Sequence, residues 1–311
     1  MIILVTGATG FSGKYLIDSL TSGINSENGV YGTYFKSIPV VNPNCQYIKL
    51  NLSRVNDTIK FIKKLKPDIV IHLAGSNSGT FSELFSANVI TTQNLLSALR
   101  DHAPNAKILI VGSSAEYGFS GFHPINESAP LNPVSPYGIS KVASSLLALS
   151  YFRQFNLHLV VVRPFNLVGP LQSKKFVCGK IVAQIKEIEE KRKNKIELGN
   201  LNSKRDFIDV HDVIEAYESI IFHKNFGSEC EGHIFNVGSN RAVAISDVLE
   251  CCGKIMGKCY VVDCKEEFHA DLIPSQISDN SKITKTTGWK PRLSLEESLR
   301  TMLLTASLLI R

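Results

Sequence analysis

Among the seven cysteines no two are spaced as a CxxC pair, and the chain opens directly on an apolar strand. Both features speak against a disulfide framework and against secretion, so the expected location is a reducing cytoplasm. No apolar run reaches the roughly eighteen residues of a membrane-spanning helix, because Arg153 and His158 interrupt the longest candidate. The sequence therefore predicts a soluble protein without a membrane partner. Charge of one sign is scarce as well: 34 Lys plus Arg against 28 Asp plus Glu leave +6. That surplus suits an anionic small molecule better than a nucleic-acid groove, and no nucleic-acid partner is expected. Part of it lies in KEIEEKRKNK, Lys186 to Lys195, whose mixed signs predict the solvated end of a helix. Cys251, Cys252, Cys259 and Cys264 lie close in sequence, yet their spacing fits no zinc pattern and no histidine completes it. They read as core or surface thiols, and no metal is expected.

No internal repeat or low-complexity linker divides the 311 residues, and 44% hydrophobic content allows a large buried core. In the first half strand and helix patterns alternate: IILVT, a helix from about Phe11, VYGTYF, QYIKL, a helix carrying Val55, Ile59, Ile62 and Leu65, then DIVIHLA and KILIVGS. Such alternation predicts a parallel sheet covered on both faces. A helix from Tyr137 to about Phe155 leads into HLVVVRPF, and strand-like GHIFNV returns only near Gly232. A second domain is thus expected to be interleaved with the first, at 166–311, while the first covers 1–165 with a return near 207–238.

TGATGFSG, Thr6 to Gly13, follows the first strand without a gap and opens an amphipathic helix. Gly7 can make the tight turn, Gly10 lets the backbone approach a pyrophosphate, and Gly13 lets helix and strand pack closely. The alternative is a plain strand-to-helix turn, but three glycines at this spacing in a βαβ context point to a dinucleotide. The fold class that follows is α/β, a doubly wound parallel sheet of the Rossmann kind with a smaller interleaved substrate domain. The second strand lacks the carboxylate that would hold the ribose 2′-hydroxyl of NAD. Instead Tyr34 can flank the adenosine and Lys36 can meet a 2′-phosphate, so NADP(H) is favoured, with NAD(H) the alternative. In SPYGISK, Tyr137 and Lys141 stand four apart at a helix start and share a face. An adjacent ammonium and an oxidised nicotinamide would pull the phenol down from its usual value near 10 toward working pH, fitting Tyr137 to proton exchange with a carbonyl or alcohol oxygen. Lys141 would also hold the nicotinamide ribose.

With the glycine loop, the YxxxK pair and a serine at a strand end in place, the chain resembles the extended short-chain dehydrogenase/reductase family, in its nucleotide-sugar branch. HLAG (His72 to Gly75), Asn88 before TTQNLLSAL, and RPFNLVGP (Arg163 to Pro170) look like further landmarks. The resemblance implies that Ser113 hydrogen-bonds the sugar oxygen while Tyr137 is the acid/base and Lys141 assists. It places Thr9, Phe11, Asn51, Leu52, Leu73, Ala74, Gly75, Asn88 and Pro164 against the cofactor, with Asn51 standing where an aspartate is usual. FVCGKI followed by IELGNLNSKRDF resembles the GDP-mannose 4,6-dehydratases and their partner GDP-4-keto-6-deoxymannose reductases. In that likeness Asn166, Lys180 and Arg205 grip the nucleotide diphosphate and Ser114 meets the substrate. Arg205 suits a phosphate by its fork, a salt bridge to Asp206 or Asp209 being the alternative. Gly179 departs from the arginine expected in the dehydratases. Likeness to the family also implies a homodimer through the helix bearing Tyr137 and the one containing Asn94 to Leu99. Val142, Leu146 and Leu149 recur there at helical spacing, which burial in the protein's own core explains equally well.

VGSSAEYG, Val111 to Gly118, decides between activities. Dehydratases of this branch carry a Thr-x-Glu triplet whose glutamate removes the proton beside the ketone; aligned on Tyr117 and Gly118, this chain has Ser113, Ser114 and Ala115 there. Its glutamate is displaced to Glu116, and neighbours on an extended strand end point in opposite directions. Glu116 is therefore expected to be a bystander, a structural or rim residue. The resemblance then implies NADPH-dependent reduction of the 4-keto group of a GDP-linked 4-keto-6-deoxyhexose, giving a GDP-rhamnose-like product. The alternatives are a 4,6-dehydratase or 4-epimerase that recycles its cofactor, or a non-catalytic nucleotide-binding regulator, against which Ser113, Tyr137 and Lys141 argue.

Overall fold

Each apolar run of the first half becomes a strand of one sheet. The computed structural model describes residues 1–22, 29–37, 42–264 and 272–308. The chain runs β1 (Ile2–Thr6), α1 (Phe11–Leu20), β2 (Gly29–Tyr34), β3 (Cys45–Lys49), α2 (Val55–Leu65), β4 (Ile69–His72), α3 (Phe81–Phe85), α4 (Thr91–His102), β5 (Lys107–Val111), α5 (Pro136–Phe155) and β6 (Leu159–Pro164). It continues through β7 (Asn166–Val168), α6 (Val177–Glu189), β8 (Ile196–Leu198), β9 (Lys204–Asp209), α7 (Val210–Ile221), β10 (Ile234–Val237), β11 (Ala242–Ala244), α8 (Ile245–Met256), β12 (Val262–Cys264), β13 (Ser275–Gln276), α9 (Ser281–Thr287) and α10 (Leu295–Leu308).

The central sheet has seven parallel strands in the order β10-β6-β5-β4-β1-β2-β3. Strand side chains alternate between its faces, which explains why the inner strands β1, β4, β5 and β6 are almost wholly apolar, whereas edge strand β3 (CQYIK) leaves Gln46 and Lys49 exposed. Ile3, Val5, Ile71, Leu109 and Val162 enter one core under α1 and α7, while Leu4, Val70, Ile110 and Val161 enter another under α4 and α5. Each fully buried Leu or Ile contributes about 1.5–3 kcal/mol relative to an exposed one. Strand order reverses between β1 and β4, and in open α/β sheets the crevice at the carboxyl ends of such strands is the usual place for a ligand.

Two features of α5 fix its start. Ser135 Oγ accepts the Gly138 N–H at 3.1 Å, and Pro136 occupies the first turn, where no N–H is needed. The helix ends at Asn156, whose φ of 54° is the left-handed stop.

The smaller part joins β7, β11 and β13 around β9, pairs β8 with β12, and packs α6, α8 and α10 around a third core that includes Ile181, Ile196, Val248 and Leu299. The chain re-enters the first core with α7 and β10, and then again with Ile283 and Trp289. Trp289 Nε1 donates to Asp212 O at 3.0 Å, and the Asp212 carboxylate accepts the Arg292 and Leu293 N–H groups. The charged run from Lys186 spans the end of α6, which stops at Glu189. Among the described residues no helix is long and apolar enough to cross a membrane.

Candidate active site

The turn from β1 into α1 is shaped by its glycines. Gly7 has φ 70°, and a Cβ on it would lie 2.8 Å from Ala74 N; a Cβ on Gly13 would run into the Gly7 carbonyl oxygen. Gly10 is exposed, and as N-cap it leaves α1 without a side-chain cap, so the helix presents open N–H groups to an anion. Thr9 and Phe11 are half-buried beside it, with the Phe11 ring edge-on to Tyr15. This cradle fits a dinucleotide. The β1 and β4 ends are tied together: Thr6 Oγ1 bonds His72 Nδ1 at 2.7 Å and accepts the Ala74 N–H at 3.2 Å. Burial pulls His72 down to about 3, with Lys141 helping, so its imidazole stays neutral.

Around the cradle, Leu73 and Ala74 are half-buried and Gly75 is exposed next to Lys141. A Cβ on Gly75 would sit 2.5 Å from Asn88 Oδ1. Asn88 itself is buried and fully engaged: its Nδ2 donates to Ser76 O and Ser140 Oγ, and its Oδ1 accepts the Ser76 N–H. It clasps the loop after β4 to α5. Asn51 Oδ1 accepts from Ser53 N and Oγ, while buried Leu52 offers its carbonyl to Asn94 Nδ2. Tyr34 is half-buried at the end of β2, and Lys36 is exposed just beyond; the Glu83 carboxyl is held below its usual range chiefly by hydrogen bonds from the Thr80 N–H and hydroxyl, with the Lys36 charge a minor addition. Pro164 is buried at the end of β6.

β5 does not continue as an extended strand through VGSSAEYG. Ser113 caps a 3₁₀ turn, Ser114–Glu116: its Oγ accepts the Ala115 N–H at 3.1 Å, and Glu116 Oε1 accepts the Ser113 N–H at 2.9 Å. The strand-alternation argument for Glu116 is thereby corrected. A capping box turns the carboxylate back into the fold, where it is fully buried, so it is no rim residue. Ser114 is buried and its carbonyl accepts from Gln276 Nε2 at 3.0 Å. The first turn of α5 rests on this loop, since a Cβ on Gly138 would lie 2.6 Å from Ala115 O.

That packing brings Tyr137 to Ser113. Burial pushes the Tyr137 phenol up, a hydrogen bond with Ser113 pulls it down, Glu116 adds to the rise, and the net direction is upward. Within the chain alone desolvation outweighs stabilisation of the phenolate, and the Lys141 ammonium is directed to Val111 O at 2.6 Å, so the lowering expected of the phenol falls to the oxidised nicotinamide. Burial brings Lys141 down to about 8, with Glu116 opposing.

Arg163 was named only as the start of the RPFNLVGP landmark, and sequence reasoning missed what it does. It is fully buried on β6, where its Nε donates to Glu116 Oε2 at 2.8 Å and its Nη1 to Tyr117 Oη at 2.9 Å. Tyr117 Oη in turn donates to Asn236 Oδ1 at 2.8 Å. The signal was present: one arginine inside an otherwise apolar six-residue strand requires a buried acceptor.

In the smaller part, Asn166 Nδ2 donates to Asp206 O at 3.1 Å, and Arg205 lies on the neighbouring strand with Nη1 on Lys204 O. Lys180 is exposed on α6. The Asp206 carboxylate accepts from Ser239, Asn240 and Ser278, and that of Asp209 from His211 and Ser298. Gly179 is required where it stands, since a Cβ there would collide with Ser173 O. The seven cysteines are free thiols; Cys252 is buried, Cys251 half-buried, and Cys259 and Cys264 exposed. No group of three or more potential ligands that could hold a metal occurs among the described residues.

A protein-family model, GDP-mannose 4,6 dehydratase, matches residues 4–302. GDP-6-deoxy-D-mannose reductase of Pseudomonas aeruginosa is 29% identical over 97% of this chain and 95% of its own length. Among solved structures, RMD from Pseudomonas aeruginosa complexed with NADPH superimposes with TM-score 0.83 at 26% identity, covering 98% of both chains. UDP-glucuronic acid 4-epimerase from Bacillus cereus, in complex with UDP-glucuronic acid and NAD, does so with TM-score 0.88 at 25% identity, covering 99% of this chain and 100% of that one.

Proposed function

This chain belongs to the GDP-mannose 4,6-dehydratase family, and we propose that within it the protein is an NADPH-dependent reductase of the 4-keto group of a GDP-4-keto-6-deoxyhexose. The observation that carries this reading is the state of VGSSAEYG. Dehydration needs a base beside the ketone, yet the aligned position is Ala115, and both oxygens of Glu116 are engaged by Ser113, Ser145 and Arg163. The likeness to a GDP-6-deoxy-D-mannose reductase supports the substrate class.

Gly7, Thr9, Gly10, Phe11 and Gly13 would hold the pyrophosphate side of NADP(H), with Lys36, Asn51, Leu52, Leu73, Ala74, Gly75, Asn88 and Pro164 around the rest. When bound, the nicotinamide supplies the hydride. Tyr137 gives its proton to the substrate oxygen as that oxygen becomes an alkoxide. Ser113 Oγ accepts from Ala115 N, and its O–H, engaged with Tyr137 in the structure, would turn to the same oxygen when substrate is bound. Lys141, anchored on Val111 O, keeps a positive charge beside the reacting pair. Ser114, Asn166, Lys180 and Arg205 would receive the nucleotide diphosphate and sugar. A panel of GDP-, UDP- and dTDP-linked 4-keto sugars tests the assignment: NADPH absorbance should fall fastest with a GDP-linked ketone, and a preference for another base would refute it.

Lys36 supports NADPH over NADH because no carboxylate follows β2 to take a ribose hydroxyl. Lys36→Glu should shrink the NADPH preference in fluorescence titrations, and equal affinities in the unaltered protein would contradict it. The protein is further assigned to the cytoplasm as a homodimer. Leu149 is 5% exposed and belongs to the core, whereas Leu146 is 50% and Ile139 45% exposed on the outer side of α5, which is what a partner helix would cover. Light scattering at micromolar concentration should give twice the 34.3 kDa chain mass, and a solely monomeric species would sink the dimer.

A further inference from the structure

The connection from β7 to α6, residues 169–176, touches both walls of the crevice assigned to the dinucleotide, and the reductase reading does not use it. β1 and β4 are neighbours in the sheet, and their carboxyl ends, joined through Thr6 and Ala74, form the floor. On one side of that floor stands α1, and on the other the loop that follows β4. The connection starts against α1. A Cβ on Gly169 would lie 2.7 Å from Val210 Cγ1 and 3.5 Å from Phe11 Cζ, so the backbone runs hard against the first residue of that helix. One turn along α1, Tyr15 Oη donates to Pro170 O at 2.7 Å, and its ring stands edge-on to those of Phe11 and His211. The chain then crosses to the opposite wall, where Lys175 Nζ donates to Ser78 Oγ at 3.2 Å.

The span between the two walls is braced. Leu171, at its bend, has φ 64°, a left-handed conformation that a leucine seldom adopts unless its surroundings hold it there. Gln172 supplies the hold: its Nε2 donates to Leu167 O, and its Oε1 accepts the Gly179 N–H at 3.1 Å. On the far wall Ser76 Oγ donates to Ser78 O at 2.8 Å, and Asn88 clasps the Ser76 backbone. We propose that residues 169–176 are a strap closed across the dinucleotide crevice, with Tyr15 its anchor and the Lys175–Ser78 contact its latch, so that the cofactor enters and leaves only when the latch opens. The inference rests on the proposed placement of the dinucleotide against the glycine turn before α1.

The two fasteners differ in strength. Tyr15 is half-buried, which shields its hydrogen bond from water, whereas Lys175 and Ser78 are exposed and water competes for both. The strap therefore opens at Ser78 and pivots at Pro170. Lys174 and Lys175 make its outer half cationic, which suits the negative pyrophosphate of a dinucleotide beneath it. Both fasteners are contacts within the chain, made in the same way before and after the cofactor binds. Such a device changes the rates of entry and exit together and leaves the affinity alone.

Stopped-flow NADPH fluorescence on the whole protein reads both rates, association on mixing and release on displacement by excess NADP⁺. Tyr15→Phe with Ser78→Ala removes both fasteners while keeping the Tyr15 ring position and the Lys175 charge. Association and release should each rise about fivefold or more, the factor that one hydrogen bond supplies, with Kd within about threefold of the unaltered protein. Ser78→Ala alone, a truncation on an exposed loop that leaves the fold intact, should raise both rates about twofold. Unchanged rates in the folded double variant would overturn the proposal. Faster release without faster association would overturn it too, because that pattern is weakened binding and not an opened gate. Failure of the unaltered protein to bind any nicotinamide dinucleotide would remove the strap together with the cradle. Gated binding without reduction of any 4-keto sugar nucleotide would refute the reductase reading and leave the strap standing.

Discussion

Tyr137→Phe should lower turnover of a GDP-linked 4-keto sugar by ~100- to 10,000-fold, the span that a positioned general acid contributes. The ring is retained and the first turn of α5 is set by Ser135 and Gly138, so the fold should stand. What disappears is the proton that quenches the alkoxide, together with the hydrogen bond to Ser113 that draws the phenol down. NADPH affinity should stay within about threefold, because removing an interaction made in the transition state lowers kcat without weakening ground-state binding. Ser113→Ala should cost less, since it deletes one hydrogen bond to the reacting oxygen and leaves the proton source in place. A Tyr137→Phe protein with near-normal kcat would remove the phenol from the reaction.

The other large effect is on stability. Arg163→Met should cost about 3–5 kcal/mol in urea unfolding at neutral pH, because it leaves the fully buried Glu116 carboxylate without its cation. The sign of the pH dependence follows from that burial. With the guanidinium gone, the Glu116 pKa in the folded state rises further above its unfolded value, so the folded state binds the proton more tightly. The deficit should be smallest below the unfolded carboxylate pKa of about 4.3, and grow as pH rises through the folded value. Replacing Glu116 by Gln in the same chain should recover much of the loss. A cost below about 1 kcal/mol, or one independent of pH, would show that the pair is not a buried ion pair in solution.

How much of this could be read from the sequence depends on where the physics is local. β1, β4, β5 and β6 were legible because each is an apolar run bounded by polar residues, as strands covered on both faces require, and β2 and β3 by their β-branched and aromatic residues. The β1–α1 turn was legible because glycine spacing there is imposed by backbone clearance. VGSSAEYG was misread as an extended strand end, although Ser113-x-x-Glu116 spells a capping box; the side-chain bonds to the backbone win over strand continuation. The desolvation of the Tyr137 phenol was not legible, because it depends on what packs above α5, which no local spacing reveals. Arg163, and the return of Ile283 and Trp289 to the first core, depend on partners far away in sequence, Glu116 and Asp212 among them. Asn88 was visible as a landmark, but its engagement with Ser76 and Ser140 was not.

Reductase and dehydratase differ in net oxidation state, so the decisive measurement is the stoichiometry of NADPH against product, followed by mass spectrometry of the sugar nucleotide. Purified protein given GDP-4-keto-6-deoxymannose should oxidise one NADPH for each ketone reduced, and should return GDP-mannose unaltered. Efficient loss of water from GDP-mannose without net NADPH consumption, abolished in Glu116→Asp, would show that Glu116 is the base and contradict the account.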